Sequence, residues 1–157
     1  MEHVVTHTNG LKTVNVFVYG TLLPGYSNHR LVEDLVHSVT AGVVGGFRLL
    51  DVGSFPGARP APAFGVRGDI LTLKEPEEAL YRLDALEGVP RLYTREWVTV
   101  ETDAGTKVGA WMYVLSPSVA KRSTPLTETE GGADSWRHHK APHAYWNETT
   151  GEDEYVA

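Results

Sequence analysis

The side chain in this sequence whose position most invites chemistry is the carboxylate of Glu87. Spaced at about 100° per residue, Ala79, Leu80, Leu83 and Leu86 form one apolar helical stripe, and Glu87 falls inside it, about 40° from its centre at Leu83. Tyr81 points away from the stripe and Asp84 lies near its edge. Gly88 follows at once and suits the C′ position, so Glu87 sits at the helix C-terminus, where the dipole opposes an ionised carboxylate. Desolvation and dipole both raise its pKa, towards the range in which a glutamate takes up a proton and returns it near neutral pH. That is the chemistry of a general base that becomes a general acid. A helix that ends early would instead release Glu87 to water, or to a pair with Arg91 or Arg95.

A second group offers something for such a base to act on. Val14 to Tyr19 read as a strand that becomes apolar on both faces, and it runs into Gly20-Thr21-Leu22-Leu23-Pro24-Gly25. A sharp turn at Gly20 frees the amides of Gly20, Thr21 and Leu22 to point at an anion or a polarised carbonyl. The plainer reading is that Gly20 only ends a strand and Tyr19 only packs.

The elements that must position these groups follow in order. Residues 1–12 read as a flexible polar arm with an Asn9-Gly10 turn signal. After the turn, Ser27 or Asn28 caps an expected helix with Leu31, Val32, Leu35 and Val36 on its apolar face, and its N-terminus adds to the anion-friendly field. Ala41 to Asp51 reads as a strand bent at Gly45-Gly46, and the proline-rich stretch from Gly53 to Pro62 reads as a loop. Gly65 to Leu73 is strand-like, and Pro76 opens the helix that carries Glu87. Thr94 to Thr102 and Thr106 to Leu115 form a hairpin about Asp103-Ala104-Gly105. Residues 117–157 read as a polar C-terminal extension, partly irregular, with Trp136 or Trp146 as anchors.

Composition narrows the function classes. The chain has 157 residues with a net charge of −6 and no Lys/Arg run, so nucleic acid is not an expected partner. It has no cysteine, which removes disulfides, thiolate metal sites and cysteine nucleophiles. No stretch of signal-peptide or membrane-spanning character occurs, so the expectation is a soluble, cytoplasmic protein without a membrane partner. His138, His139 and His143 lack an obvious further ligand on a rigid element, so no metal site is expected. Gly42-Val43-Val44-Gly45-Gly46 lacks dinucleotide-binding spacing, and no serine sits in a nucleophile elbow.

Three segments in order, Tyr19-Gly20-Thr21-Leu22, Leu83-Asp84-Ala85-Leu86-Glu87-Gly88 and Leu92-Tyr93-Thr94-Arg95, resemble the gamma-glutamylcyclotransferase-like superfamily, in particular the Tyr-Gly-Thr-Leu branch that includes gamma-glutamylamine cyclotransferase. Phe55-Pro56-Gly57 and Ala110-Trp111-Met112-Tyr113 also look like family positions, whereas Asp134-Ser135-Trp136-Arg137 is only loosely similar to a Gly-Asp-Trp ending. The resemblance implies an α+β fold, a single-domain compact mixed β-barrel with packed helices, here over residues 13–116. It implies a cofactor-independent reaction on a small-molecule γ-glutamyl substrate: the α-amine attacks its own γ-carbonyl, closing 5-oxoproline and expelling an amine. It places the acid/base carboxylate on Glu87 and the substrate cradle on Tyr19, Gly20, Thr21 and Leu22. Tyr93 and Tyr113 follow as walls or as hydroxyl donors to the glutamyl carboxylate, with plain core packing as their other reading. Phe55 borders the entrance or packs at the surface. The alternative is a catalytically silent module that binds a small ligand or a partner on the same fold. The leaving amine and the oligomeric state stay open.

Overall fold

In the computed structural model of the chain, residues 5–8, 10–127, 129–139, 143–147 and 152–156 are described. The stretch expected as a polar arm contributes a short strand, β1 (Thr6–Thr8), which pairs antiparallel with β2 (Leu11–Val18). β2 is the central strand: Val14, Val16, Phe17 and Val18 are all buried. On one side it pairs antiparallel with β4 (Pro56–Lys74), and on the other it runs parallel to β6 (Lys107–Leu115). β6 pairs antiparallel with β5 (Tyr93–Thr102), β5 with β3 (Val36–Asp51), and β3 with β4. The ring β2–β6–β5–β3–β4 therefore returns to β2 and closes a mixed barrel, so each of the five strands has a partner on both sides. The bend expected at Gly45-Gly46 is a register shift between Gly45 and Phe47, with Gly46 at φ +85°.

Two local expectations are corrected. The helix expected after Ser27 is a pair of 3-10 turns, Ser27–Leu31 and Glu33–Leu35, and Val36 already opens β3. Its two buried apolar residues, Val32 and Leu35, are three apart, which suits a 3-10 turn. Pairing of Val36 with Leu73 then draws the chain into the sheet before an α-helix could grow. No long helix dipole therefore points at the Gly20 turn.

The second correction concerns Gly53 to Pro62, expected as a loop, in which β4 begins at Pro56. Pro56, Pro60 and Pro62 share one parity with Ala58, and the N–H of Ala58 points away from β3, to the hydroxyl of Tyr19 at 3.1 Å. The missing N–H groups of Pro56 and Pro60 thus fall on the side that β3 does not bond, Pro62 lies in the stretch between Pro60 and Gly65 that has no β3 partner, and the β3–β4 ladder survives on either side.

α1 (Pro76–Leu86) packs against β2 and β4 through the buried Ala79, Leu80 and Leu83, while Tyr81 is 74% exposed. The extension supplies α2 (Pro117–Ala120), β7 (Thr124–Pro125), β8 (Thr129–Glu130), β9 (Ala133–Asp134) and α3 (Trp136–His139). Part of it returns to the barrel: Leu126 donates its N–H to the carbonyl of Leu49, and Asp134 accepts the N–H of Leu49 at 2.8 Å. Trp136 is 2% exposed, as expected of an anchor. β10 (His143–Asn147) and β11 (Glu152–Val156) pair with each other; the side chains of Trp146 and His143 lie outside the described part.

Candidate active site

Helix α1 carries Glu87 to the rim of a cavity. The N–H of Glu87 still bonds the carbonyl of Leu83 at 2.9 Å and its backbone stays helical, at φ −80° and ψ −1°, so the helix does not fray before it. Gly88, at φ +62°, then ends the helix with the left-handed residue that its position predicts. Arg95 does not reach for Glu87. Its guanidinium makes a two-pronged bond to Asp84, Nε to Oδ1 at 3.0 Å and Nη2 to Oδ2 at 3.2 Å, and its face rests on Trp111 at 4.6 Å. The half-buried carboxylate of Glu87 is left with no hydrogen bond or ion pair among the described residues. Burial alone pushes its pKa up to about 7.

Opposite stands the turn that follows β2. Gly20 does not have a positive φ, so its requirement is space: a Cβ there would sit 2.4 Å from Cγ of Pro56. Tyr19 locks the strand end across the barrel, donating its hydroxyl to the carbonyl of Tyr113 at 2.7 Å and accepting from the N–H of Ala58. The turn closes through Leu23 N–H to Gly20 C=O at 3.0 Å. Asn28 and His29 clamp it from the 3-10 turn that follows. The Asn28 N–H bonds the Thr21 carbonyl at 3.0 Å, Asn28 Nδ2 bonds Thr21 Oγ1 at 2.8 Å, and His29 Nδ1 lies 2.9 Å from the Leu22 carbonyl. The amides of Gly20, Thr21 and Leu22 meet no acceptor among the described residues.

Between these two faces lies a cavity of about 240 Å³, lined by Tyr19, Gly20, Thr21, Leu22, Glu87, Tyr93 and Tyr113. Every site residue expected from the sequence is thus brought to one place. The two tyrosines wall it, but their hydroxyl protons are committed elsewhere: Tyr93 donates to the carbonyl of Pro56 at 2.6 Å and Tyr113 to Asp84 Oδ1 at 2.7 Å. With these bonds in place, it is in the first of their two expected roles, as walls, that the tyrosines stand. Burial raises the pKa of Tyr19, Tyr93 and Tyr113 above the ordinary phenol range, so all three are neutral. Phe55 lines the cavity, 6.4 Å between ring centres from Tyr93.

Sequence reasoning treated Asn28 only as a helix cap, and Pro56, Leu86 and Leu92 not as site residues, although all four line the cavity. The Asn28 signal was the spacing of seven residues to Thr21, which has meaning only once the turn is known. No Lys, Arg or His is among the lining residues, and the described residues contain no cluster of three or more His, Asp or Glu able to hold a metal.

The model of the family described as gamma-glutamyl cyclotransferase, AIG2-like, matches residues 16–138. The chain belongs to this family. The match takes in both faces of the cavity and ends within α3. Among relatives, a Vibrio cholerae protein with a provisional gamma-glutamylcyclotransferase name is 38% identical over 102 residues, spanning 63% of this chain and 79% of that protein. A Methanocaldococcus jannaschii protein with the same provisional name is 29% identical over 104 residues, spanning 66% of this chain and 85% of that protein. Among solved structures, a mouse AIG2-like protein superposes with a TM-score of 0.57 at 22% identity, over 78% of this chain and 95% of that one. The cyclotransferase-like barrel implied by the sequence is the fold found.

Proposed function

We propose that the chain is a cofactor-independent γ-glutamyl cyclotransferase that converts a γ-glutamyl amide to 5-oxoproline and a free amine. The observation that carries this reading is the half-buried Glu87 carboxylate, with its pKa near neutrality and no partner among the described residues, lining one cavity with Gly20, Thr21 and Leu22, whose amides likewise meet no acceptor among those residues. An ionisable group held without a partner costs stability, and a site that needs a proton carrier gives that cost a use.

The chemistry asks little else of the protein, because nucleophile and electrophile belong to one substrate. Glu87 takes a proton from the substrate ammonium, whose unperturbed pKa is about 8. The freed amine attacks the γ-carbonyl, a C–N bond forms, and the oxyanion is received by the amides of Gly20, Thr21 and Leu22. The ring nitrogen gives up a second proton as the bond to the leaving nitrogen breaks. Two protons thus leave the attacking nitrogen and two reach the departing one, released as RNH3+, with Glu87 carrying them in turn. Tyr19, Tyr93 and Tyr113 hold the walls that fold the glutamyl chain so that amine meets carbonyl.

With no cation among the described residues of the cavity wall, a leaving group that carries its own carboxylate gains no counter-charge from them, which favours γ-glutamyl amines over γ-glutamyl amino acids. The test is a panel of γ-glutamyl amines, amino acids and peptides, with 5-oxoproline followed by mass spectrometry. Formation from the amines supports the reading. No 5-oxoproline from any member, with ligands still raising the melting temperature, would make the chain a silent binding module.

A further inference from the structure

We propose that Asn28 and Thr21 together form a neutral two-donor fork for the α-carboxylate of the γ-glutamyl group. This rests on the cyclotransferase reading and assigns the one charged substrate group that the reading leaves unplaced. That carboxylate enters a cavity with no Lys, Arg or His among the described residues of its wall, so neutral hydrogen-bond donors are what that wall offers it.

The three turn amides are taken up by the γ-carbonyl oxygen, and the hydroxyl protons of Tyr93 and Tyr113 are spent on Pro56 and Asp84. Among the polar side chains of the wall, Thr21 and Asn28 remain. Asn28 Nδ2 donates one proton to Thr21 Oγ1 at 2.8 Å. The hydroxyl of Thr21 therefore accepts there and has its own proton to give, and Nδ2 keeps a second proton. Neither proton meets an acceptor among the described residues. The two donors, Thr21 Oγ1 and Asn28 Nδ2, thus stand side by side 2.8 Å apart, a spacing that the two oxygens of a carboxylate can bridge.

The arrangement is held from the backbone. The N–H of Asn28 bonds the carbonyl of Thr21 and His29 Nδ1 lies against the carbonyl of Leu22, so the fork and the amides keep a fixed relation. Asn28 is thereby a specificity-determining residue: it separates ligands that carry the α-carboxylate from those that lack it.

Calorimetric titration of the full chain with 5-oxoproline and with pyrrolidin-2-one, the same ring without the carboxylate, reads this directly. The wild type binds 5-oxoproline more tightly. Thr21→Val and Asn28→Ala each reduce that preference, read as the ratio of the two affinities, by about tenfold or more, as loss of a hydrogen bond to a charged group does. Asn28→Asp, which sets a carboxylate against a carboxylate, weakens 5-oxoproline binding further than Asn28→Ala. Melting curves confirm that the variants fold. A wild type that binds both rings equally or neither, or folded variants that keep the wild-type preference, overturns the fork. Binding is read without turnover, so absence of 5-oxoproline formation with the preference intact sinks the cyclotransferase reading and not the fork.

Discussion

At the scale of single residues, Glu87 couples activity to stability with opposite signs. Its pKa rises on folding from an ordinary 4.5 to about 7. Below the lower value the proton is bound in both states; between the two, folding takes up a proton; above the upper one the folded chain holds a buried charge. Stability therefore falls as pH rises through that window, by up to about 3 kcal/mol. Glu87→Gln removes the charge and keeps the shape, so its denaturation midpoint exceeds that of the wild type at pH 8 and converges with it near pH 4.5. Asp84 serves the wall beside it: it accepts from Arg95 and from the Tyr113 hydroxyl, and so fixes the ring of Tyr113 against the cavity.

At the scale of elements, the sequence was most readable where a period was long and uninterrupted. β2, α1 and the β5–β6 hairpin declare themselves through alternation, through the stripe about Leu83, and through Asp103-Ala104-Gly105. The prolines of β4 concealed a strand, because whether a missing N–H breaks a ladder depends on the side that faces the neighbour. The 3-10 turns concealed themselves because Val32 and Leu35 fit both helical periods. That Glu87, the Gly20 turn and the two tyrosines would meet at one cavity was legible, whereas the commitment of the tyrosine protons to Pro56 and Asp84 was not, since both acceptors are brought in by the fold. Tyr19 shows how an element is fastened: one hydroxyl bonds a main-chain group of β6 and one of β4. Tyr19→Phe leaves the carbonyl of Tyr113 and the N–H of Ala58 without that partner, and costs about 2–4 kcal/mol in urea denaturation.

At the scale of the whole molecule, barrel closure sets Glu87 and the turn against each other from residues nearly seventy positions apart in sequence. The segment after β6 contributes to this body. Trp136 is buried, Arg137 pairs with the buried Asp69 at 2.7 Å, and His139 lies 2.8 Å from Asp51. Trp136→Ala costs about 3–5 kcal/mol and lowers the melting temperature well beyond an exposed substitution such as Tyr81→Ala.

The proposed reaction turns on one proton carrier, and kcat/KM for 5-oxoproline release across pH 5 to 9, wild type beside Glu87→Gln, tests it most directly. The wild-type profile rises with an apparent pKa near 7, as the free protein's base ionises. Glu87→Gln lowers the rate by about a hundredfold or more and loses that limb. A folded Glu87→Gln variant with a rate within tenfold of wild type and the same rising limb would contradict the account.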